Sequence, residues 1–301
     1  MRRHFVHFLW GSLLAILGLV FVFFISVWNG WVGYMPDMDE LSNPIDKFAS
    51  QVYSSDQQLI GTWNADNNNR VAIDYNGLSP HLVHALVATE DERFYEHSGI
   101  DFIALGRAVV KRGVMGQASA GGGSTITQQL AKQLFSEKAH STVERLLQKP
   151  IEWIIAVKLE RYFTKEEILA MYFNYFDFLH NAVGIKRAAN VYFNKEPRKL
   201  TVTESAMLVG LCKNPSMFNP LRHPERCLQR RNVVLMQMVK SGYVTKDEYK
   251  ELSQCPLGLH FTRSKPVSGA GDYFQAFLRQ YMMAKKPERE NYQSWQNRQF
   301  V

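Results

Sequence analysis

The sequence predicts a mainly α-helical protein that begins with a membrane-spanning helix. Residues 8–28 contain no charged side chain and are rich in Leu, Val, Ile and Phe. About 20 apolar residues are enough for a helix to cross the hydrocarbon core of a bilayer. From residue 79 to about residue 245, apolar residues recur at the spacing of amphipathic helices, and strand-like alternation is scarce. We therefore expect an all-α main body behind one membrane helix.

The charges around the apolar run predict its orientation. Arg2 and Arg3 precede it, so the positive-inside rule places the amino terminus in the cytoplasm and the residues after Trp28 outside. The alternative is a cleaved signal peptide, whose apolar region is usually about 7–15 residues long and ends at a small-x-small site. Ser26-Val27-Trp28 matches such a site poorly, which favours a retained anchor.

Changes in composition divide the chain into four segments. We predict a cytoplasmic stub and anchor over residues 1–30, an extracytoplasmic stalk over 31–78, a helical domain over 79–250, and a connector over 251–301. The stalk contains strand-like pieces such as Gln51-Val52-Tyr53. The periodicity predicts helices at about 79–90, 101–111, 124–135, 150–162, 164–175, 183–192, 201–211 and 224–241.

Helix-start signals refine these boundaries. Ser79 followed by Pro80 predicts an N-cap with proline at the first helical position. Residues 164–167 and 201–204 both have the Thr-x-x-Glu pattern of a capping box. Pro150 predicts that a helix begins or kinks there, because proline lacks the N–H group that an interior turn needs.

The overall charge narrows the class of partner. Lys and Arg total 35 against 28 acidic residues, a formal net charge of +7, which suits nucleic acid, a phospholipid surface or a phosphorylated substrate. Hydrophobic residues make up 46% of the chain, which argues against wholesale disorder. Cys212, Cys227 and Cys255 form neither a disulfide framework nor a zinc pattern, so we expect them to be packing residues.

Glu90 is the first candidate for chemistry. It ends an apolar helical pattern, where a partly buried carboxylate could act as a general base. The alternative is a solvated helix end. Glu92, Glu96 and His97 follow closely, but they lack the spacing of zinc ligands. We therefore expect no metal site made of protein ligands alone.

A second candidate is the glycine-rich stretch at 113–123, which runs into a helix amino terminus. Such a terminus can bind an anionic group. Polar residues at i, i+3, i+4 and i+7 on the following helix share one face: Thr125, Gln128, Gln129 and Lys132. This stripe suits sugar hydroxyls and phosphates. A nucleotide P-loop is excluded because Gly122 stands where that motif needs lysine.

A third candidate is the pair Lys149 and Glu152. The two residues are three positions apart and would project to the same side if one helix covers both. The alternative is an ordinary surface ion pair that stabilises the helix by roughly 0.2–0.5 kcal/mol.

These segments resemble, in order, the motifs of the peptidoglycan glycosyltransferase family, which occurs as stand-alone enzymes and as the first domain of class A penicillin-binding proteins. The resemblance runs from about Ser79 to Met238. Its first three motifs are Glu90-Asp91-x-x-Phe94-x-x-His97-x-Gly99, Gly123-Ser124-Thr125-Ile126-Thr127-Gln128-Gln129-Leu130-x-Lys132 and Lys149-x-x-Glu152.

The fourth and fifth motifs follow in the family's order. They are Tyr172-x-Asn174 with Gly184, Ala188-Ala189 and Tyr192-Phe193, and then Leu200-Thr201-x-x-Glu204-Ser205-Ala206-x-Leu208 with Pro215 and Arg230-Arg231-x-x-Val234-Leu235. The chain departs from the family at three positions. The family usually has arginine at Gln148, glycine at Leu179 and no proline at Pro150.

The resemblance implies a lysozyme-like, mostly helical glycosyltransferase domain. Its reaction polymerises lipid II, a disaccharide-peptide on undecaprenyl pyrophosphate, with inversion and release of undecaprenyl pyrophosphate. By this resemblance Glu90 is the catalytic base and Glu152 the second essential carboxylate, which orients basic groups or holds a cation. Arg107, Lys132 and Lys149 match positions that hold the diphosphate.

The resemblance also implies the remaining site residues, cofactor and partners. Six further residues are expected to bind substrate: Asp91, Ser124, Thr125, Gln128, Gln129 and Asn174. A divalent cation, Mg²⁺ or Mn²⁺, is expected to bridge phosphate oxygens near Glu152. The expected partners are lipid II, the growing lipid-linked glycan strand, the membrane and other cell-wall synthesis proteins, and not nucleic acid.

The same resemblance implies a location and a membrane contact. The protein would be a single-pass protein of the inner (cytoplasmic) membrane with its catalytic domain on the periplasmic or extracellular side. The apolar stretch at residues 102–110 resembles the part of the family's domain that dips into the outer leaflet; the alternative is an ordinary core helix.

The sequence leaves open two other function classes and the question of whether a transpeptidase domain follows. A lysozyme-like lytic enzyme would share the glutamate, and a non-catalytic membrane-anchored glycan- or lipid-binding module would share the anchor. Residues 272–292 resemble the connector that leads into a penicillin-sensitive transpeptidase domain, but no Ser-x-x-Lys motif with its companions follows. We expect a truncated class A protein rather than a naturally short enzyme.

Overall fold

The computed structural model describes residues 2–31, 35–36, 41, 50–53, 55–56, 59–63, 71–110, 123–136, 141–262, 277 and 281. The chain divides into two compact units. The anchor unit comprises Met1–Ser42 and Tyr95–Ile168, and the core unit comprises Asn43–Phe94 and Leu169–Val301. Most of the predicted glycine-rich loop and of the predicted connector lies outside the described residues.

The described residues are mainly helical, which confirms the predicted fold class. The helices are α1 Arg2–Trp28, α2 Pro80–Glu90, α3 Phe102–Val109, α4 Ile126–Phe135, α5 Thr142–Tyr162, α6 Lys165–Tyr175, α7 Ile185–Phe193, α8 Val202–Lys213, α9 Pro224–Lys240 and α10 Lys246–Gln254. Two short strands, β1 Ser50–Tyr53 and β2 Leu59–Trp63, pair antiparallel, with Gln51 opposite Thr62. Strand β1 includes the piece that the sequence predicted to be extended.

Helix α1 is long and apolar enough to cross a membrane. Its carboxyl-terminal turns pack on α5 within the anchor unit. The ring of Phe24 stacks on that of Trp153 with centroids 6.5 Å apart, and the ammonium of Lys158 lies 5.0 Å from the centre of the Trp28 ring. Val27 is fully buried beside them. The end of the membrane helix is therefore part of the packed structure of this unit.

Helix α5 begins eight residues before the predicted start. The Ser141 side chain accepts a hydrogen bond from the backbone N–H of Glu144 at 3.1 Å and caps the helix. The helix then continues through Pro150 to Tyr162. The predicted start at Pro150 was wrong. A proline inside a helix removes only one backbone hydrogen bond, and the turns before and after Pro150 keep their own hydrogen bonds.

Side-chain caps fix several other helix ends. Both predicted capping boxes are present: Thr164 with Glu167 and Thr201 with Glu204. Ser79 stands at the N-cap position of α2 but makes no capping bond; its hydroxyl donates instead to the carbonyl of Leu200 at 3.0 Å. This bond ties the start of α2 to the start of α8.

Helix α10 was not predicted, because none of its residues is buried and its only large apolar side chains are Tyr249 and Leu252, too few to show a helical repeat. Its start is marked by a capping box between Thr245 and Glu248. Its carboxyl end is held by Arg231, a fully buried side chain of α9. The guanidinium donates to four backbone carbonyls at and just beyond the end of the helix, those of Leu252, Ser253, Cys255 and Pro256.

The core unit is built around α2, α8 and α9, which pack on one another. Their facing side chains are apolar and buried, and include Leu82, Leu86, Ala206, Leu208, Val234 and Leu235. Burying such side chains stabilises the unit by roughly 1.5–3 kcal/mol for each large aliphatic residue. The packing fixes the carboxyl end of α2, where Glu90 stands.

We predict that Arg231→Met destabilises the protein by about 2–4 kcal/mol, because four carbonyl groups lose a charged donor. The measurement is thermal unfolding of the full chain in detergent micelles. Arg226→Met, an exposed position on the same helix, is the matched control and should unfold like the wild type. Equal stability of the two variants would contradict this role for Arg231.

Candidate active site

Glu90 is the last residue of α2 and is paired with an arginine of the core unit. Its Oε1 lies 3.6 Å from Nη2 of Arg230, and both side chains are largely buried, 17% and 10% exposed respectively. The Arg230 guanidinium also lies over the Phe218 ring, 5.9 Å from its centre. Burial lowers the pKa of Arg230, and the charge of Glu90 opposes that shift. The candidate base is therefore held by a cation rather than left at a solvated helix end.

Two neutral groups accompany this ion pair. Burial raises the pKa of the Tyr172 phenol and of the Cys212 thiol, and the nearby charge of Glu90 raises both further. Both groups therefore stay protonated at physiological pH. Asp91, the next predicted site residue, is buried at the carboxyl end of α2.

Asn174, a predicted substrate contact, lies in the core unit and holds backbone there. Its side-chain oxygen accepts from the backbone N–H of Ile73 at 3.1 Å, and its amide nitrogen donates to the Ile73 carbonyl at 2.8 Å. The residue is buried. Both ends of the amide thus hold the segment before α2, and the predicted substrate contact of Asn174 stays a prediction.

The anchor unit contains the second group of predicted residues, centred on a buried carboxylate. Glu152 is 1% exposed, and its two oxygens lie 2.7 Å from Nη1 of Arg145 and 2.8 Å from Nζ of Lys149. The two cations are about one-third exposed. A carboxylate that leaves water is strongly destabilised unless it is paired, and here two cations pair with Glu152. We call Lys132, Arg145, Lys149 and Glu152 the Glu152 cluster.

Lys132 and Ser124 complete the surroundings of this cluster. The ammonium of Lys149 donates to Oγ of Ser124 at 3.1 Å. Burial lowers the pKa of Lys132, as do the charges of Arg145 and Lys149, while Glu152 opposes the shift. Three cations therefore surround one carboxylate, and the cluster has a positive excess. Arg107 is exposed in the last turn of α3, and the structure shows no contact between it and the cluster among the described residues.

The predicted polar stripe on α4 is only partly open. Thr125 caps α4 by accepting from the backbone N–H of Gln128, and its hydroxyl donates to the Gly99 carbonyl at 2.7 Å. The amide nitrogen of Gln128 donates to the same carbonyl at 3.2 Å. Both side chains are buried, whereas Gln129 is half-buried and Lys132 is exposed. Thr125 and Gln128 therefore position the backbone, and the open part of the stripe is its second half.

Gly99 makes this arrangement possible. Its φ is +91°, in the left-handed region, and a Cβ atom there would lie 2.8 Å from the backbone carbon of Ala156 in α5. Only glycine allows this close approach. Its carbonyl, shared by Thr125 and Gln128, therefore ties the start of α4 to the middle of α5.

Sequence reasoning missed two residues of these groups as site residues, Arg145 and Arg230. Arg230 was part of a quoted motif, but nothing local indicated that it reaches Glu90. Arg145 stands four positions before Lys149 and seven before Glu152, a spacing that places all three on one helical face. The wrong helix start at Pro150 concealed that signal.

The described residues contain no group of three or more His, Cys, Asp or Glu side chains that could hold a metal ion. A family model described as "Transglycosylase" matches residues 56–239. The chain belongs to the transglycosylase family. This membership confirms the predicted class of peptidoglycan glycosyltransferase and its lysozyme-like fold.

Curated proteins similar to this transglycosylase chain are penicillin-binding proteins. The chain is 38% identical to "Penicillin-binding protein 1A" of Aquifex aeolicus over 279 residues, which cover 92% of this chain and 36% of that protein. It is 36% identical to "Penicillin-binding protein 1A" of Escherichia coli, covering 82% and 28%, and 34% identical to "Penicillin-binding protein 1F" of Bacillus subtilis, covering 89% and 35%. The chain thus spans about a third of the length of these relatives.

We predict that Gly99→Ala destabilises this transglycosylase chain by about 1–3 kcal/mol or more, because it forces a side chain into the left-handed region and against α5. Thermal unfolding measures the loss. Gly106→Ala is the matched control, since a Cβ at Gly106 of α3 meets nothing within 4 Å and alanine favours a helix. The interpretation fails if both variants are as stable as the wild type.

Proposed function

We propose that the chain polymerises lipid II into glycan strands. The 4-hydroxyl of an N-acetylglucosamine on one lipid-linked disaccharide attacks C1 of the N-acetylmuramic acid at the lipid end of the growing strand. The new glycosidic bond forms as the bond from C1 to the diphosphate breaks, the configuration at C1 inverts, and undecaprenyl pyrophosphate leaves with the electron pair. Such a reaction needs a base for the hydroxyl and positive charge for the leaving group.

Glu90 is the proposed base. Its carboxylate takes the proton of the attacking hydroxyl, and Arg230, whose Nη2 lies 3.6 Å from Oε1 of Glu90, holds that carboxylate in position. The neutral state of Tyr172 and Cys212 supports this assignment, because it leaves the carboxylate of Glu90 as the acceptor among these groups. Asp91, adjacent at the helix end, is proposed to contact substrate.

The observation that carries the proposal is the positive excess of the Glu152 cluster. A diphosphate gains negative charge as its bond to C1 breaks, and preformed cations stabilise that charge most where water is excluded. Lys132 and Lys149 are proposed to bind the diphosphate directly, with Arg107 as a further contact. Glu152 orients its two cations, which lie 2.7 and 2.8 Å from its oxygens, and it is not proposed as a nucleophile.

The remaining polar residues are assigned to the path of the sugar and phosphate groups. Ser124 and Gln129 are the proposed contacts with these groups, because both side chains are only half-buried. Ser124 also accepts a hydrogen bond from Lys149 of the Glu152 cluster. Thr125 and Gln128 act through the Gly99 carbonyl that they hold.

The residues of the Glu152 cluster do not fit a divalent cation bound directly by the protein. Arg145 and Lys149 already lie 2.7 and 2.8 Å from the two carboxylate oxygens, and Lys132 adds a third positive charge, so a directly bound divalent cation would be repelled. We therefore retain Mg²⁺ or Mn²⁺ only as a cation that arrives on the oxygens of the substrate diphosphate. No step of the proposed reaction depends on it.

The proposed location is the inner membrane, with the amino terminus in the cytoplasm and the catalytic part on the outer side. The packing of Phe24 and Trp28 against α5 supports a retained anchor, because a cleaved signal peptide would leave that face uncovered. On α3, Phe102 and Ile103 are 72% and 69% exposed, as expected of a helix that touches lipid. A domain held at the membrane surface in this way could bind a substrate whose lipid tail stays in the bilayer.

Incubation of the full chain with purified lipid II distinguishes the function classes. Formation of polymer with release of undecaprenyl pyrophosphate supports the transferase. Shortening of preformed glycan would indicate the lytic enzyme, and binding without either reaction would indicate the non-catalytic module.

We predict that Glu90→Gln lowers the polymerisation rate at least about 100-fold, because the hydroxyl loses its base. The rate is measured on lipid II in detergent micelles, and circular dichroism checks that the fold is intact. Glu92→Gln removes an exposed carboxylate two residues away and should retain wild-type activity. Full activity of Glu90→Gln would contradict the mechanism.

A further inference from the structure

Arg145 is about one-third exposed on α5, and the proposed reaction gives it no contact with the substrate. Its Nη1 donates to Glu152 at 2.7 Å and to the side-chain oxygen of Gln148 at 3.1 Å. All the hydrogen bonds and ion pairs that the Arg145 side chain makes with the described residues go through this one nitrogen. A guanidinium has five N–H donors, and no described residue accepts a hydrogen bond from those on Nη2 and Nε.

The two contacts on Nη1 also fix the guanidinium in place. An arginine side chain loses considerable rotamer entropy when it is ordered by a ligand. Here Glu152 and Gln148 have already ordered it, and Glu152 is itself rigid because it is buried between two cations. The planar fork of an arginine matches phosphate oxygens in pairs, which an ammonium cannot do.

We propose that Arg145 is a diphosphate-binding residue of this site, held in position by Gln148 and Glu152, and that its Nη2 and Nε donate to the phosphate oxygens of the leaving group. This inference rests on the proposed function. In this arrangement Gln148, three residues after Arg145, orients the guanidinium through its side-chain oxygen.

The test measures binding of inorganic pyrophosphate to the full chain in detergent micelles by calorimetry, together with its inhibition of lipid II polymerisation. Arg145→Ala should weaken pyrophosphate binding about tenfold or more, in line with the loss of a charged hydrogen-bonding pair. Arg161→Ala removes the same charge from an exposed position on the same helix and should change binding less than about twofold.

Two further variants separate ligand binding from folding. Arg145→Lys keeps a cation beside Glu152 and should preserve thermal stability, yet it should still lose at least about threefold in pyrophosphate affinity because the fork is gone. The exchange Arg145→Gln with Gln148→Arg returns a guanidinium to within one helical turn of Glu152. It should recover at least half of the affinity that Arg145→Gln alone loses.

The proposal is overturned if Arg145→Ala and Arg145→Lys bind pyrophosphate like the wild type, or if the wild type does not bind it. Failure of the proposed function gives a different pattern. In that case pyrophosphate binding depends on Arg145 as expected, but lipid II is not polymerised.

Discussion

The buried carboxylate of Glu152 constrains which side chains and which helix geometry the anchor unit can have around it. Its removal from water would be strongly destabilising without the cations at 2.7 and 2.8 Å. Arg145 and Lys149 therefore have to stand on the same face of one continuous helix, and α5 has to pass through Pro150 unbroken. The result is a pair of cations whose geometry is fixed before any anion binds.

The same helix links this cluster to the membrane. Trp153 directly follows Glu152 in the chain and stacks on Phe24 of the membrane helix, and Lys158 lies over Trp28. A third contact, with the Gly99 carbonyl region, joins α5 to the start of α4. Helix α5 thus connects the end of the anchor, the candidate diphosphate site and the helix that supplies Lys132. This arrangement suits a substrate whose charged group lies close to a lipid surface.

Patterns along the chain predicted what depends on local periodicity and missed what depends on tertiary contacts. Most helices appeared at the predicted positions because each buries an apolar face. Helix α10 was missed because it buries nothing, although Thr245 and Glu248 mark its start. Motif resemblance selected Glu90 and Glu152 as candidates. It could not distinguish a side chain that holds backbone, such as Asn174 on Ile73, from one that is open to a ligand. Arg145 was missed because its role appears only once the true start of α5 is known.

The central claim is that the Glu152 cluster is a preformed site for a lipid diphosphate. The most direct measurement compares the affinity of the full chain in detergent micelles for geranyl diphosphate and for geranyl monophosphate, which share one tail. We expect the diphosphate to bind at least about tenfold more tightly, and the difference to shrink as salt screens the charges. Equal affinities for the two lipids at low salt would contradict the account.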